Sequence, residues 1–223
     1  MMLASNPKDL LEVATQEVMH FSHRILAGLF AALTLLACSK DSTPSGPGLT
    51  MTDKDHLAQG WQQFEVQRYD SAASSFTSAY AAASTPAIRR EALEGRAWSS
   101  MYKRDLPMAK SDFSAAIATS GIAANVLNDA RAGLSFTLYA LNMFPDAVLY
   151  ANSALTDNPS YGFVHDAKVT TRRLRLLLVQ SYYANGQFVP AAAQLDVVDP
   201  ARAPHSADPA ILLGNITAAL NTL

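Results

Sequence analysis

From about residue 54 onward, apolar and polar positions alternate with a helical rhythm that repeats along the chain. Four times an aromatic residue or leucine is followed by alanine three positions on, a core residue after seven and a small or apolar one after ten. The sets are Tyr69, Ala72, Phe76, Ala79; Leu106, Ala109, Phe113, Ala116; Phe144, Ala147, Ala151, Ala154; and Phe188, Ala191, Leu195, Val198. Steps of three, four and three keep each set on one helical face. The key alanines Ala72, Ala109, Ala147 and Ala191 are 37, 38 and 44 residues apart, so each unit has room for two helices and two turns. Runs of alternating β-branched residues are missing, and the pattern predicts an all-α chain.

The first helix of each unit is expected at about 54–66, 87–103, 126–142 and 168–184, and the second at about 70–82, 107–119, 145–156 and 189–197. Pro107, Pro145 and Pro190 stand just before the key alanines, where a starting helix loses little by lacking an N–H. Thr85-Pro86 opens a first helix in the same way. Asp208-Pro209 opens a last one, on which Leu212, Ile216, Ala219, Leu220 and Leu223 form a stripe suited to covering the exposed end of the fourth unit.

These units resemble the tetratricopeptide repeat. The alanine, phenylalanine and alanine of its second helix are matched in the first two units, and Ala154-Leu155-Thr156-Asp157-Asn158-Pro159 resembles its closing segment. Twelve residues before each key alanine, where that family places a small residue for close helix approach, stand Gly60, Ala97, Ser135 and Val179; the last departs from the pattern. The resemblance implies a right-handed α-solenoid of about four helix pairs with a C-terminal capping helix. It also implies a groove lined by the first helices, with Trp61, Phe64, Trp98, Met101, Phe136, Tyr139, Gln180 and Tyr183 facing it and Arg173 on its rim. Aromatic side chains make good contact surfaces, and a stripe at helical spacing is equally what a packed core requires. A two-residue difference in turn length would decide between these for Trp98 and Phe136.

Upstream of the repeats, residues 25–37 form an apolar run of 13 residues. A helix needs about 20 to cross a bilayer, so the run suits a signal-peptide core instead. Arg24 precedes it and the only cysteine, Cys38, follows it. Leu35-Leu36-Ala37-Cys38 resembles the lipobox of bacterial lipoproteins, which implies lipidation of Cys38 and cleavage just before it. Asp9, Glu12 and Glu17 are wrong for the basic start of such a signal, whereas Met19 begins a suitable one, so translation is expected to start at Met19. Residues 1–37 are thus expected to be a start extension and signal peptide, 38–53 the lipidated cysteine and tether, and 54–223 the solenoid. The Ser-, Pro- and Gly-rich tether has a root-mean-square reach of roughly 20 Å.

A net charge of −2 with 16% charged residues offers no field for nucleic acid. No phosphate-binding glycine loop, HExxH or GxSxG is present, and His56, His165 and His205 lack ligand spacing. No catalytic residue, cofactor or metal is expected. His165-Asp166 is expected to be an exposed polar turn, and Glu91 and Glu94 to be solvated or paired with Arg90. Lys168, Arg172, Arg173 and Arg175 form a basic cluster, read as a solvated face or as a contact for an acidic partner segment or a phosphate headgroup.

Together these features point to a membrane-anchored scaffold that is not an enzyme and binds a protein or peptide in the bacterial cell envelope. Ser39 after the cysteine implies the outer membrane, facing the periplasm. A glycan-binding groove using Trp61, Trp98 and Phe136 is the alternative, and a spacer with no ligand a third reading. Nothing in the sequence fixes the oligomeric state.

Overall fold

A computed structural model of the protein describes residues 51–222. Cys38, the segment before it, the tether through residue 50 and Leu223 lie outside the described residues. Within them run α1 (Asp53–Glu65), α2 (Tyr69–Ala82), α3 (Pro86–Tyr102), α4 (Leu106–Ile117), α5 (Asn128–Ala140), α6 (Phe144–Asp157), α7 (Thr171–Ala184), α8 (Phe188–Val198) and α9 (Pro209–Leu220). The eight repeat helices fall where the periodicity predicts them. Two starts are displaced: a 3-10 turn, Ala124–Leu127, precedes α5, and α7 begins at Thr171 rather than at residue 168.

Local chemistry sets the starts. Thr52 and Asp55 form a reciprocal capping box at α1. Thr85, Asp105 and Thr170 accept from backbone N–H groups in the first turns of α3, α4 and α7, and Asp208 from two at α9. The turn inside each helix pair is the same four times. Gln67, Arg104, Asn142 and Gly186 all have positive φ, at 62°, 66°, 61° and 73°. The following N–H groups, of Arg68, Asp105, Met143 and Gln187, reach back to the carbonyls of Gln63, Ser100, Leu138 and Tyr182 at 2.8–2.9 Å. This is the Schellman close of a helix, and only the fourth unit uses glycine for it.

Each helix packs on the next, and the pairs stack in chain order as an α-solenoid. Ala72, Ala109, Ala147 and Ala191 have no exposed surface, which explains the demand for a small side chain at that step. Phe76 lies between Gly60 of its own unit and Gly95 of the next. A Cβ at either glycine would come within 2.6 Å and 2.4 Å of its ring, respectively. Gly133 stands against Phe113 in the same way. Burying each such ring stabilises by roughly 1.5–3 kcal/mol. Arg96 of α3 grips Asp112 of α4 through two bonds, at 2.6 and 2.8 Å.

The first helices also touch one another, α1 with α3, α3 with α5 and α5 with α7, and so line an inner face. Leu212, Ile216 and Ala219 of α9 are buried against the last pair, as a capping helix requires. Helix α7 serves two cores: Leu174, Leu177 and Leu178 join the cluster of the first three units, while Leu176 and Val179 join that of α8 and α9.

Candidate functional site

The lengthened third period is explained by residues 158–170, a loop between α6 and α7 that folds onto the inner face. Its ends are pinned by an antiparallel bridge between Gly162 and Thr170 and by the Thr171 N–H donating to the Tyr161 carbonyl at 2.7 Å. Inside it Phe163 and Val169 pair at 2.9 Å, and the Asp166 N–H donates to the Phe163 carbonyl at 3.2 Å, closing a β-turn over Phe163-Val164-His165-Asp166.

Side chains of that turn meet α1 and α3. Phe163, 2% exposed, stacks on Trp98 with ring centroids 4.4 Å apart and meets Trp61 edge-on at 6.0 Å. His165 lies flat on Trp61 at 3.7 Å, with its Nδ1 2.9 Å from Glu65 Oε1. The Tyr102 hydroxyl donates to Asp166. Burial, with that carboxylate beside it, pushes the Tyr102 hydroxyl well above the usual phenol range; burial and the same charge push Tyr69 up to about 12. His165 and Asp166 are therefore half-buried contacts, correcting the expectation of an exposed polar turn.

The two expected groove positions of each unit have different roles. The later one packs inside its own helix pair. Phe64, Tyr139 and Tyr183 each meet the aromatic residue that opens the next helix, Tyr69, Phe144 and Phe188, at centroid distances of 5.4, 5.8 and 5.2 Å. Met101 is half-buried against the same core. The earlier position faces the loop in the first two units. Trp61 sends its indole N–H to Glu91 at 3.0 Å, and Trp98, with no exposed surface, bridges Phe163 and Phe113. Phe136 is buried in α5, while Gln180 and Arg173 are half-buried. As a set these residues form no open groove, because core packing and the loop cover the aromatic ones.

Beneath the loop is a buried charged group. Glu94 pairs with Arg90, and burial, only partly offset by Arg90, pushes its carboxyl up to about 8. Asp129 of α5 is likewise raised by burial. The expectation of a solvated Glu94 is corrected: it is paired with Arg90, but α5 and the loop enclose it. The buried Tyr161 hydroxyl lies against the Asp129 carboxylate, which it stabilises, while Trp98 Nε1 and Arg90 Nε lack partners.

The basic cluster disperses. Arg172 reaches Thr222 beyond α9, Arg175 reaches Gln194 on α8, and Arg173 lies on the Tyr102 side, where its charge opposes the rise in that hydroxyl. Among the described residues no three His, Cys, Asp or Glu side chains are grouped to hold a metal, and no helix is long and apolar enough to cross a membrane. Sequence reasoning missed Phe163, Gly95 and Gly133. The loop's trace was the spacing of 44, and the glycines' was their place 19 and 20 residues after Phe76 and Phe113.

No protein-family model matches the chain, and no curated protein matches it. Among solved structures it is similar to TTC0263, a thermophilic tetratricopeptide protein of Thermus thermophilus, with 18% identity and a TM-score of 0.43 over 75% of this chain and all of that one. It is also similar to the TPR2AB domain of yeast Sti1 in a pHSP90 complex, with 15% identity and a TM-score of 0.44 over 76% of this chain and 71% of that one. Likenesses this low add nothing to the site; the architecture rests on the helix packing described above.

Proposed function

We propose that this protein is a lipid-anchored helical-repeat scaffold that holds a protein or peptide partner at the bacterial cell envelope. One observation carries the binding half of this reading: the inner face of α1 and α3 already receives a polypeptide turn, with Phe163 between Trp61 and Trp98. A surface that accommodates an aromatic side chain, a carboxylate and a backbone turn has the chemistry of a peptide site. Stacking on sugar rings would need open aromatic faces, and Trp61, Trp98 and Phe136 are buried. The anchoring half rests on the sequence around Cys38, with the outer membrane as the expected site.

The test is a photo-crosslinking residue at Val164, which is 81% exposed at the tip of the loop, in cells that make the protein. The expected result is a discrete protein adduct that is absent when the probe is moved to Thr77, exposed on α2. An adduct digested only by polysaccharide hydrolases would favour the glycan reading, and no adduct at all would favour the spacer.

A further inference from the structure

We propose that residues 158–170 are an internal stand-in for the ligand: the loop gives way to a partner segment that presents, in a β-turn, an aromatic residue first and a carboxylate fourth. This rests on the scaffold reading above and specifies what the scaffold binds.

Three features of the loop carry the inference. It is closed on itself. The bonds between Phe163 and Val169, Phe163 and Asp166, Asp166 and Val169, and Tyr161 and Thr171 all lie within it or at its root. Apart from the bonds that Asn158 and Thr170 make to α6 and α7 at its two ends, it can therefore leave as a unit without breaking backbone bonds of the helices, as compact loops of this kind do. Its attachment is made by side chains: Phe163 on Trp98 and Trp61, His165 on Trp61 and Glu65, Asp166 on Tyr102, Tyr161 on Asp129, and Val169 buried in the core beside them.

The fit is also imperfect. The polar atoms Trp98 Nε1 and Arg90 Nε are enclosed beneath it without partners, and each such group penalises the closed state. A partner turn that keeps the aromatic and acidic contacts and offers carbonyl oxygens to the indole and guanidinium N–H groups would bind this face better than the loop does. The aromatic at the first turn position and the carboxylate at the fourth are those of Phe163 and Asp166, so the occupant's chemistry is read from this chain.

The test uses the full chain and a synthetic cyclic peptide of residues 159–171. Once the loop is out, its few internal bonds have no packing over them and open in water, so in native-state hydrogen exchange the Phe163 and Val169 amides should exchange through an opening that spares α3, with protection about ten-fold or more below that of α3. Exchange of both only with global unfolding would overturn the proposal, because the loop would then be permanent core. The Phe163→Ala chain should bind the labelled peptide about ten-fold or more tighter than the wild type, whose site is free only for the fraction of time the loop is out. A peptide carrying Phe163→Ala and Asp166→Asn should not bind.

If Phe163→Ala abolishes the cooperative melt, His165→Ala, which removes the stack on Trp61 and the contact with Glu65 but leaves Phe163 in position, takes its place. Equal binding of both peptides, or no binding to a folded loop variant, overturns the proposal. So does a wild-type dimer formed by docking of this loop on a second copy, or capture of oligosaccharide in place of the peptide. A protein adduct from Val164 combined with failure of the peptide would leave the scaffold reading standing and remove only this inference.

Discussion

Phe163 and Trp98 stack at 4.4 Å with their planes 18° apart, joining the loop before α7 to the middle of the inner face. Because Phe163 also touches Trp61, one side chain contacts both tryptophans of the protein. Phe163→Ala should therefore lower stability by about 3 kcal/mol, the usual cost of removing a buried phenylalanine ring. Tryptophan emission should shift to the red, measured alongside a urea melt. An unchanged spectrum in a folded variant would contradict the packing.

Glu94 makes stability depend on pH. Its carboxyl is raised from 4.5 to about 8 in the folded state, chiefly by burial. The folded chain therefore keeps a proton that the unfolded chain releases between those values. The stability contributed by neutral Glu94 is complete below about pH 4.5 and is lost as pH rises through about 8. Asp129, also raised by burial, adds a slope of the same sign. Urea midpoints should fall between about pH 5 and about pH 8, and Glu94→Gln should flatten most of that fall. A variant with the full wild-type slope would show that the slope belongs to other groups.

The four identical turns allow a paired test of backbone strain. Gln67→Gly should raise stability by about 1 kcal/mol, since glycine adopts φ of 62° without the clash a Cβ brings. Gly186→Ala should lower it by a similar amount at φ of 73°. Thermal melts of both variants beside the wild type would read the two shifts, which should have opposite signs.

Cys38→Ala tests the anchor. The repeat domain should keep its helical circular dichroism and its melt, while acyl labelling and retention in the membrane fraction disappear. Persistent labelling would refute lipidation at this residue.

The repeat architecture is legible in the sequence because each second helix carries its own signal. Alanine at Ala72 or Ala109 and phenylalanine at Phe76 or Phe113 are demanded by contacts a few residues away or one unit along, and those contacts recur. The inner face is not legible for the opposite reason. Phe163 meets Trp61 and Phe64 across two intervening units and Trp98 across one, and the loop has no periodicity to announce it. Periodicity puts Phe64, Tyr139 and Tyr183 on the correct helices but does not separate groove from core. Their partners Tyr69, Phe144 and Phe188 begin the next helix, so the close turn decides which way they pack. The burial of Glu94 follows from neither pattern nor neighbours, since it depends on where α5 and Tyr161 come to rest.

Helix α7 gives its Leu174, Leu177 and Leu178 to one core and its Leu176 and Val179 to another. Under mechanical load that arrangement makes it a party wall. With the amino-terminal side fixed, a force pulling on the last helix would first peel α9 and α8 from the smaller core, leaving α7 held by the larger one. The inner face and its loop lie on the sheltered side of that wall, so the chain could yield length at its far end while its first three units stay intact.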